Sequence, residues 1–327
     1  MTKPRIFVTR LIPEKGLEIV RQEAEVEVWQ GPLPPPYPIL VRKAKGMDAL
    51  LCLLTDKIDG NLMDAIGPQL KVISQMAVGF DNIDIAAAIA RGIPVGNTPG
   101  VLTDTTADFA WALLMAAARR VAQGERFTRE GKWNTWGPID FLGPDVTGAT
   151  LGIVGFGRIG QGLAKRARGF DMRILYFDRR RQPESEQKYN AQFVDLNTLL
   201  AESDFVSLHT VLSQETHHLI NDARLKIMKP TAILINTARG SVVDSMALYR
   251  ALSSGTIACA ALDVTDPEPI KPGHPLLTLD NILITPHIAS ASYRTRNKMA
   301  TMAAENLIAG LKDEPLPNCV NPQVYTR

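Results

Sequence analysis

The sequence predicts an α/β protein built as two doubly wound parallel-sheet domains. Three observations predict it. Short β-rich runs alternate with helix-like segments through the first hundred residues, and the same alternation restarts near residue 149. Between the two blocks lies a long stretch free of Gly and Pro. Strands that alternate with helices make parallel sheets covered on both faces. At 327 residues the chain also exceeds the usual size of one domain.

In the first block, residues 6–9, 26–29, 49–54, 72–75 and 94–96 read as strands. Helix-like segments at 17–23 and 84–92 separate them, with Gly92 as a C-terminal stop. G-P-L-P-P-P-Y-P at 31–38 cannot supply a regular donor ladder and reads as a stiff surface loop. The stretch V-L-T-D-T-T-A-D-F-A-W-A-L-L-M-A-A-A-R-R from 101 reads as a long buried helix. Thr105, three residues before Asp108, resembles its cap. In the second block, 151–155, 173–177, 205–209, 233–236, 258–263 and 282–285 read as strands. Helical periodicity covers 159–170, and a last helix runs over 292–309, which can return to the first block.

Composition narrows the function classes. The chain is 45% hydrophobic and 21% charged, with a net charge of +2 from 36 basic and 34 acidic side chains. That balance is too weak to argue for nucleic acid or an anionic membrane. Cys52, Cys259 and Cys319 are odd in number and widely spaced, so no disulfide framework or metal site follows. Cys52 and Cys259 read as core residues. The longest apolar helical run, 109–118, is ten residues, far short of a bilayer span. No signal peptide is expected, and a cytoplasmic location is the default.

L-G-I-V-G-F-G-R-I-G at 151–160 places Gly155, Gly157 and Gly160 in G-x-G-x-x-G spacing. A strand pattern leads in and a helix pattern leads out, which is the context that makes the motif specific. Gly155 permits the tight turn, Gly157 lets a diphosphate approach the backbone, and Gly160 lets the helix pack on the strand. The helix start, with Phe156, Arg158 and Ile159 in the turn, offers N–H groups to phosphates. The next strand ends at Asp178, eighteen residues beyond Gly160. A carboxylate there suits the ribose hydroxyls of NAD and repels the 2′-phosphate of NADP. Arg179, Arg180 and Arg181 follow it, so NAD(H) is favoured and NADP(H) stays open. No spacing demands a metal.

Three polar residues follow strands of the second block. Arg239, in N-T-A-R-G, offers a planar fork to a carboxylate. Glu268 lies between Pro267 and Pro269. His287 follows Thr285-Pro286. If Glu268 meets His287, it orients the ring and favours its protonated form, making a general acid. His209 is a competing candidate and also a cofactor-lining one. His217 and His218 read as surface residues in a helix-initiating stretch, and His274 as loop. Trp133 and Trp136 suit a substrate site, a subunit contact or a packed loop.

The sequence resembles the D-isomer-specific 2-hydroxyacid dehydrogenases, above all the glyoxylate and hydroxypyruvate reductases. The likeness rests on A-V-G-F-D-N-I-D at 77–84, N-T-P-G-V-L-T-D-T-T-A-D at 97–108, V-G-F-G-R-I-G at 154–160, N-T-A-R-G at 236–240, A-L-D-V-T-D-P-E-P at 261–269 and T-P-H-I-A-S at 285–290. It implies a flavodoxin-like substrate domain at 1–99 completed by 289–327, and a Rossmann dinucleotide-binding domain at 100–288. It implies NAD(P)H-dependent reduction of glyoxylate or hydroxypyruvate, with His287 as acid, Glu268 as its partner and Arg239 on the substrate. Val78 and Gly79 match the loop whose N–H groups receive the substrate carboxylate, and Ser290 falls near the active site. Asp263 and Thr106 match positions near the nicotinamide, and Thr237 and Ala238 join the cofactor set. The family also implies a homodimer formed through the nucleotide-binding domains.

Departures from the family's branches bear on the substrate. Many NADPH-using glyoxylate reductases have a small or uncharged residue in place of Asp178. Phosphite dehydrogenases carry a lysine where this chain has Val78, and formate dehydrogenases a glutamine where it has Glu268. D-lactate, D-glycerate and 3-phosphoglycerate remain alternative substrates. A nucleotide-sensing, non-catalytic role on the same fold is the alternative of another class, and it has no need of an intact Arg239, Glu268 and His287.

Overall fold

A computed structural model describes residues 3–326. The chain divides into two compact units. One comprises the residues up to Leu102 together with those from Ala291 onward, and the other runs Thr103–Ser290.

The first unit contains β1 (Arg5–Val8), α1 (Glu14–Glu23), β2 (Glu25–Val28), α2 (Tyr37–Ala44), β3 (Ala49–Cys52), α3 (Gly60–Ile66), β4 (Val72–Gln75), α4 (Ile85–Ala90) and β5 (Val95–Gly96). Its five strands are all parallel in the order β2-β1-β3-β4-β5, the flavodoxin-like order. The central strand β3, Ala-Leu-Leu-Cys, is buried along its whole length, as a strand covered on both faces must be. Burial pushes the Cys52 thiol well above its usual range, which suits an inert core residue.

The second unit contains α5 (Thr103–Ala118), α6 (Val121–Arg129), β6 (Thr150–Val154), α7 (Arg158–Ala167), β7 (Arg173–Phe177), α8 (Pro183–Tyr189), β8 (Ala191–Phe193), α9 (Leu196–Glu202), β9 (Phe205–Leu208), α10 (Asp222–Leu225), β10 (Ile233–Asn236), α11 (Ser245–Ser253), β11 (Cys259–Leu262) and β12 (Ile282–Ile284). Its seven parallel strands run β12-β11-β10-β9-β6-β7-β8, a Rossmann order extended by one strand. The strand order reverses between β6 and β9, where the carboxyl ends of parallel strands leave a crevice for a ligand. Two apolar clusters cover the two faces, one with Leu175, Leu208, Leu234 and Leu248, the other with Leu114, Leu163, Phe205 and Ile235.

The chain then returns to the first unit through α12 (Tyr293–Leu311). Ser292 caps it by accepting from the Thr295 N–H at 3.2 Å. Met299, Ala300, Ala303 and Leu307 pack with Ile6, Val8, Leu17 and Val20. Ser74 of β4 donates to the Ala303 carbonyl at 2.7 Å.

Three local readings are corrected, and one strand is added that the sequence did not suggest. Thr105 is not a cap, because α5 begins at Thr103 and has Asp104 in its first turn. Tyr37 and Pro38 belong to α2 instead of the proline-rich loop, since Pro38 sits in the first turn, where a missing N–H goes unnoticed. The edge strand β8 is only three residues long and carries no legible alternation. His217 and His218 lie in a run of turns, not at a helix start, with their rings stacked 4.0 Å apart.

Candidate active site

β10, β11 and β12 are neighbours in the second unit's sheet, so their carboxyl ends fall side by side. Arg239 follows the first, Glu268 the second and His287 the third. The His287 Nδ1 stands 2.6 Å from Oε1 of Glu268, and the two side chains are 25% and 33% exposed. With Nδ1 donating to the carboxylate, Nε2 is the ring nitrogen left for proton exchange. The Arg239 backbone reaches the Glu268 loop through Gly240, where a Cβ would stand 2.0 Å from the Thr265 carbonyl. Asn236 fixes that turn by donating to the Arg239 carbonyl at 2.9 Å.

His287 has φ +55, in the left-handed region, which strains an L-residue by about 1–2 kcal/mol. Asp263 holds it there. The Asp263 carbonyl accepts from the His287 N–H at 2.9 Å. Its carboxylate accepts from Thr285 Oγ1 at 2.6 Å, from the Ile288 N–H at 2.9 Å and from the Ala289 N–H at 2.7 Å. The residue is 1% exposed. Asp263 thus braces the histidine turn, a part the sequence reading did not give it. Ser290 is half-buried just past the same turn.

The glycine turn joins β6 to α7. Gly155 has φ +92, and a Cβ there would meet the His209 backbone at 2.7 Å; at Gly160 one would stand 2.3 Å from the Gly155 carbonyl. Gly157 is the N-terminal flank of α7, which has no side-chain cap, and the space beside it is open. The first-turn N–H groups at Arg158 and Ile159 therefore remain for a phosphate. Phe156 contributes differently from the expectation. Its ring is fully buried and stacked 4.1 Å from that of Tyr176. Its N–H is given to Asp178 Oδ2 at 2.7 Å, and its carbonyl accepts from Gln161 and Gln182. Phe156 is a fixed wall of the turn.

Asp178 also accepts from the Arg179 N–H at 2.7 Å, so its carboxylate is held at the edge of the turn. Of the arginines after it, Arg181 is committed to Glu186 through two bonds of 2.9 Å. Arg179 lies 3.6 Å from Glu215. Two buried hydroxyls at strand ends of the same sheet, Thr210 Oγ1 after β9 and Thr237 Oγ1 after β10, have no partner among the described residues. Orphaned buried oxygens are uncommon in native proteins, and these suit a dinucleotide, so the residues present fit that cofactor. Thr210 escaped the sequence reading; its only signal was a hydroxyl directly past a strand end. Ala238 is buried beside Thr237, and Thr106 is buried in the first turn of α5.

His209 does not compete as an acid. Burial pushes its imidazole down to about 4, and Nε2 is engaged by Ser207 at 2.9 Å. It is neutral near pH 7. His274 caps a short turn, accepting from the Leu276 N–H at 3.2 Å. Trp133 and Trp136 are 65% and 78% exposed. In the first unit, Val78 and Gly79 lie half-buried in the loop after β4. Among the described residues, no cluster of His, Cys, Asp or Glu could hold a metal ion, and no helix is long and apolar enough to cross a membrane.

Residues 111–289 match the NAD-binding domain of the D-isomer specific 2-hydroxyacid dehydrogenases. A glyoxylate reductase of Korarchaeum cryptofilum is 54% identical over 323 residues, covering 98% of this chain and 97% of its own length. A crystal structure of a Thermus thermophilus protein superposes with a TM-score of 0.92 at 49% identity, over 97% of this chain and 99% of that one. An NADPH-dependent glyoxylate/hydroxypyruvate reductase of Sinorhizobium meliloti, solved with NADP and malonate, gives 0.87 at 32% identity over 98% of each chain.

Proposed function

Given that the chain belongs to the D-isomer specific 2-hydroxyacid dehydrogenases, NAD(P)-dependent enzymes that interconvert 2-oxo and 2-hydroxy acids, we propose that its reaction is the reduction of glyoxylate and hydroxypyruvate. The observation that carries the proposal is the His287–Glu268 pair at the strand ends beside Arg239. The bound cofactor supplies a hydride to C2 of the acid. The remaining chemistry is the chain's own. Arg239 binds the substrate and balances the charge that builds on the carbonyl oxygen, an interaction that strengthens toward the transition state. His287 gives that oxygen a proton from Nε2, and Glu268 balances the imidazolium. N–H groups of the Val78–Gly79 loop receive the carboxylate.

NADH is the preferred reductant in this reading. The Asp178 carboxylate, fixed by the Phe156 N–H, would repel a 2′-phosphate beside it, and Arg181 is spent on Glu186. The working form is a homodimer. Trp133, Trp136, Ile139 and Leu142 are each at least 65% exposed within one short segment of the nucleotide-binding unit. Such a concentration of large apolar side chains suits a subunit contact.

Absorbance at 340 nm tests the reaction, with NADH and NADPH run in parallel against glyoxylate, hydroxypyruvate and pyruvate. Rapid oxidation of reduced cofactor by the first two, with D-glycerate as the product from hydroxypyruvate, is expected. Cofactor binding without turnover of any of the three acids would refute the reading.

A further inference from the structure

We propose that Asn97 and Gln75 are positioning residues for the substrate carboxylate, acting by gripping the carbonyls of Val78 and Gly79 so that the next N–H groups face the ligand. The proposal rests on the reductase reading above. Asn97 Nδ2 donates to the Val78 carbonyl at 2.8 Å. Gln75 Nε2 donates to the Gly79 carbonyl. In a trans peptide the C=O and the following N–H point to opposite sides of one rigid plane. Holding the Val78 carbonyl therefore aims the Gly79 N–H away from Asn97. Holding the Gly79 carbonyl aims the Phe80 N–H away from Gln75. Neither N–H finds an acceptor among the described residues.

The gripping amides are themselves immobilised. Gln75 is fully buried and Asn97 is 8% exposed. Gln75 forms a reciprocal amide pair with Asn82, at 2.8 Å from Nε2 to Oδ1 and 2.9 Å from Nδ2 to Oε1. The Asn82 amide is also within 3.1 Å of the Leu53 carbonyl and 2.8 Å of the Asp56 carbonyl. Asp56 closes that turn by accepting from the Leu53 N–H at 2.8 Å. Behind Asn97 stands Asn306 of α12, fully buried, which donates to the Asn97 carbonyl at 2.9 Å and accepts from the Asn318 N–H at 2.9 Å. Four buried or half-buried amides thus converge behind two adjacent carbonyls of a loop whose N–H groups are left over. If the loop needed only satisfied carbonyls, solvent would serve, since Val78 and Gly79 are only half-buried. Donors fixed before the ligand arrives are what recognition of an anion requires.

The test compares kcat/KM for glyoxylate with that for its uncharged methyl ester, using NADH, in wild type, Asn97→Ala and Gln75→Met. NADH affinity and thermal unfolding are followed as controls. Each variant is expected to lose roughly ten- to a hundredfold on the acid, with a much smaller loss on the ester. Equal losses on acid and ester would make the amides merely structural and overturn the proposal. Backbone hydrogen exchange across 76–82 supplies a second readout that needs no variant. Oxalate added to the wild-type enzyme with NADH should slow exchange at Gly79 and Phe80, and unchanged exchange there would overturn the proposal even if both variants fail to fold. Wild-type enzyme that reduces no 2-oxo acid would instead bring down the reductase reading, and this proposal with it.

Discussion

His287 and Glu268 come from loops after adjacent parallel strands and meet at 2.6 Å between Nδ1 and Oε1. That contact assigns the two ring nitrogens different tasks, one fixed on the carboxylate and one free to exchange a proton. Glutamine in place of Glu268 preserves the shape of the contact and removes the charge that balances the imidazolium. Glu268→Gln should therefore lower kcat by roughly ten- to a hundredfold, part of the 10²–10⁴ that a positioned general acid contributes. NADH affinity should hold. Steady-state kinetics with a fluorescence titration of NADH checks both, and an unchanged kcat would make the pair a bystander.

In the proposed reading Asp178 sets the choice between NADH and NADPH. Its carboxylate is fixed by the Phe156 and Arg179 N–H groups, each at 2.7 Å, and faces an adenosine ribose in this account. Asp178→Ser should raise KM for NADH about tenfold and lower KM for NADPH, because the repulsion of the 2′-phosphate is removed while Arg179 and Arg180 remain next in the chain. The ratio of kcat/KM for the two cofactors reads this directly. An unaltered ratio would place the selectivity elsewhere.

His209 gives the fold a pH dependence of known sign. Burial lowers its folded value from 6.5 to about 4. Between those values the unfolded chain binds the proton and the folded chain does not. The stabilisation is thus complete above pH 6.5 and is lost as pH falls toward 4, to the extent of up to about 3 kcal/mol. Thermal melts from pH 7 to 4.5 should show a smaller drop in Tm for His209→Gln than for wild type. Parallel drops would exclude His209 as the source.

The exposed indoles of Trp133 and Trp136 should disappear from solvent in a homodimer. Sedimentation of the wild-type protein is expected to give twice the 35.8 kDa chain mass. The double variant Trp133→Ser with Trp136→Ser should shift it toward the monomer at micromolar concentration. A monomeric wild type would remove this segment as a subunit contact.

The parts legible in the sequence are those where one residue type answers one local demand. The glycine turn showed itself because strand, glycines and helix are contiguous. Arg239, Glu268 and His287 showed themselves because each closely follows an apolar strand. The parts that stayed hidden depend on partners distant in the chain. Asp263 reads as the end of the strand 258–263 with a place near the nicotinamide, and its hold on Thr285, Ile288 and Ala289 needs two strands to be paired first. Asn306 is separated from Asn97 by 209 positions, and nothing local in helix α12 marks it. Short elements such as β8 were hidden because three residues carry no period. The use of the Phe156 N–H by Asp178 was hidden because motif position alone does not show which carboxylate the turn meets.

The most direct test of the central claim is the turnover of His287→Ala with NADH and glyoxylate, measured beside its NADH affinity. The account predicts a loss of roughly 10²–10⁴ in kcat with cofactor binding nearly intact. Turnover equal to that of wild type would contradict it.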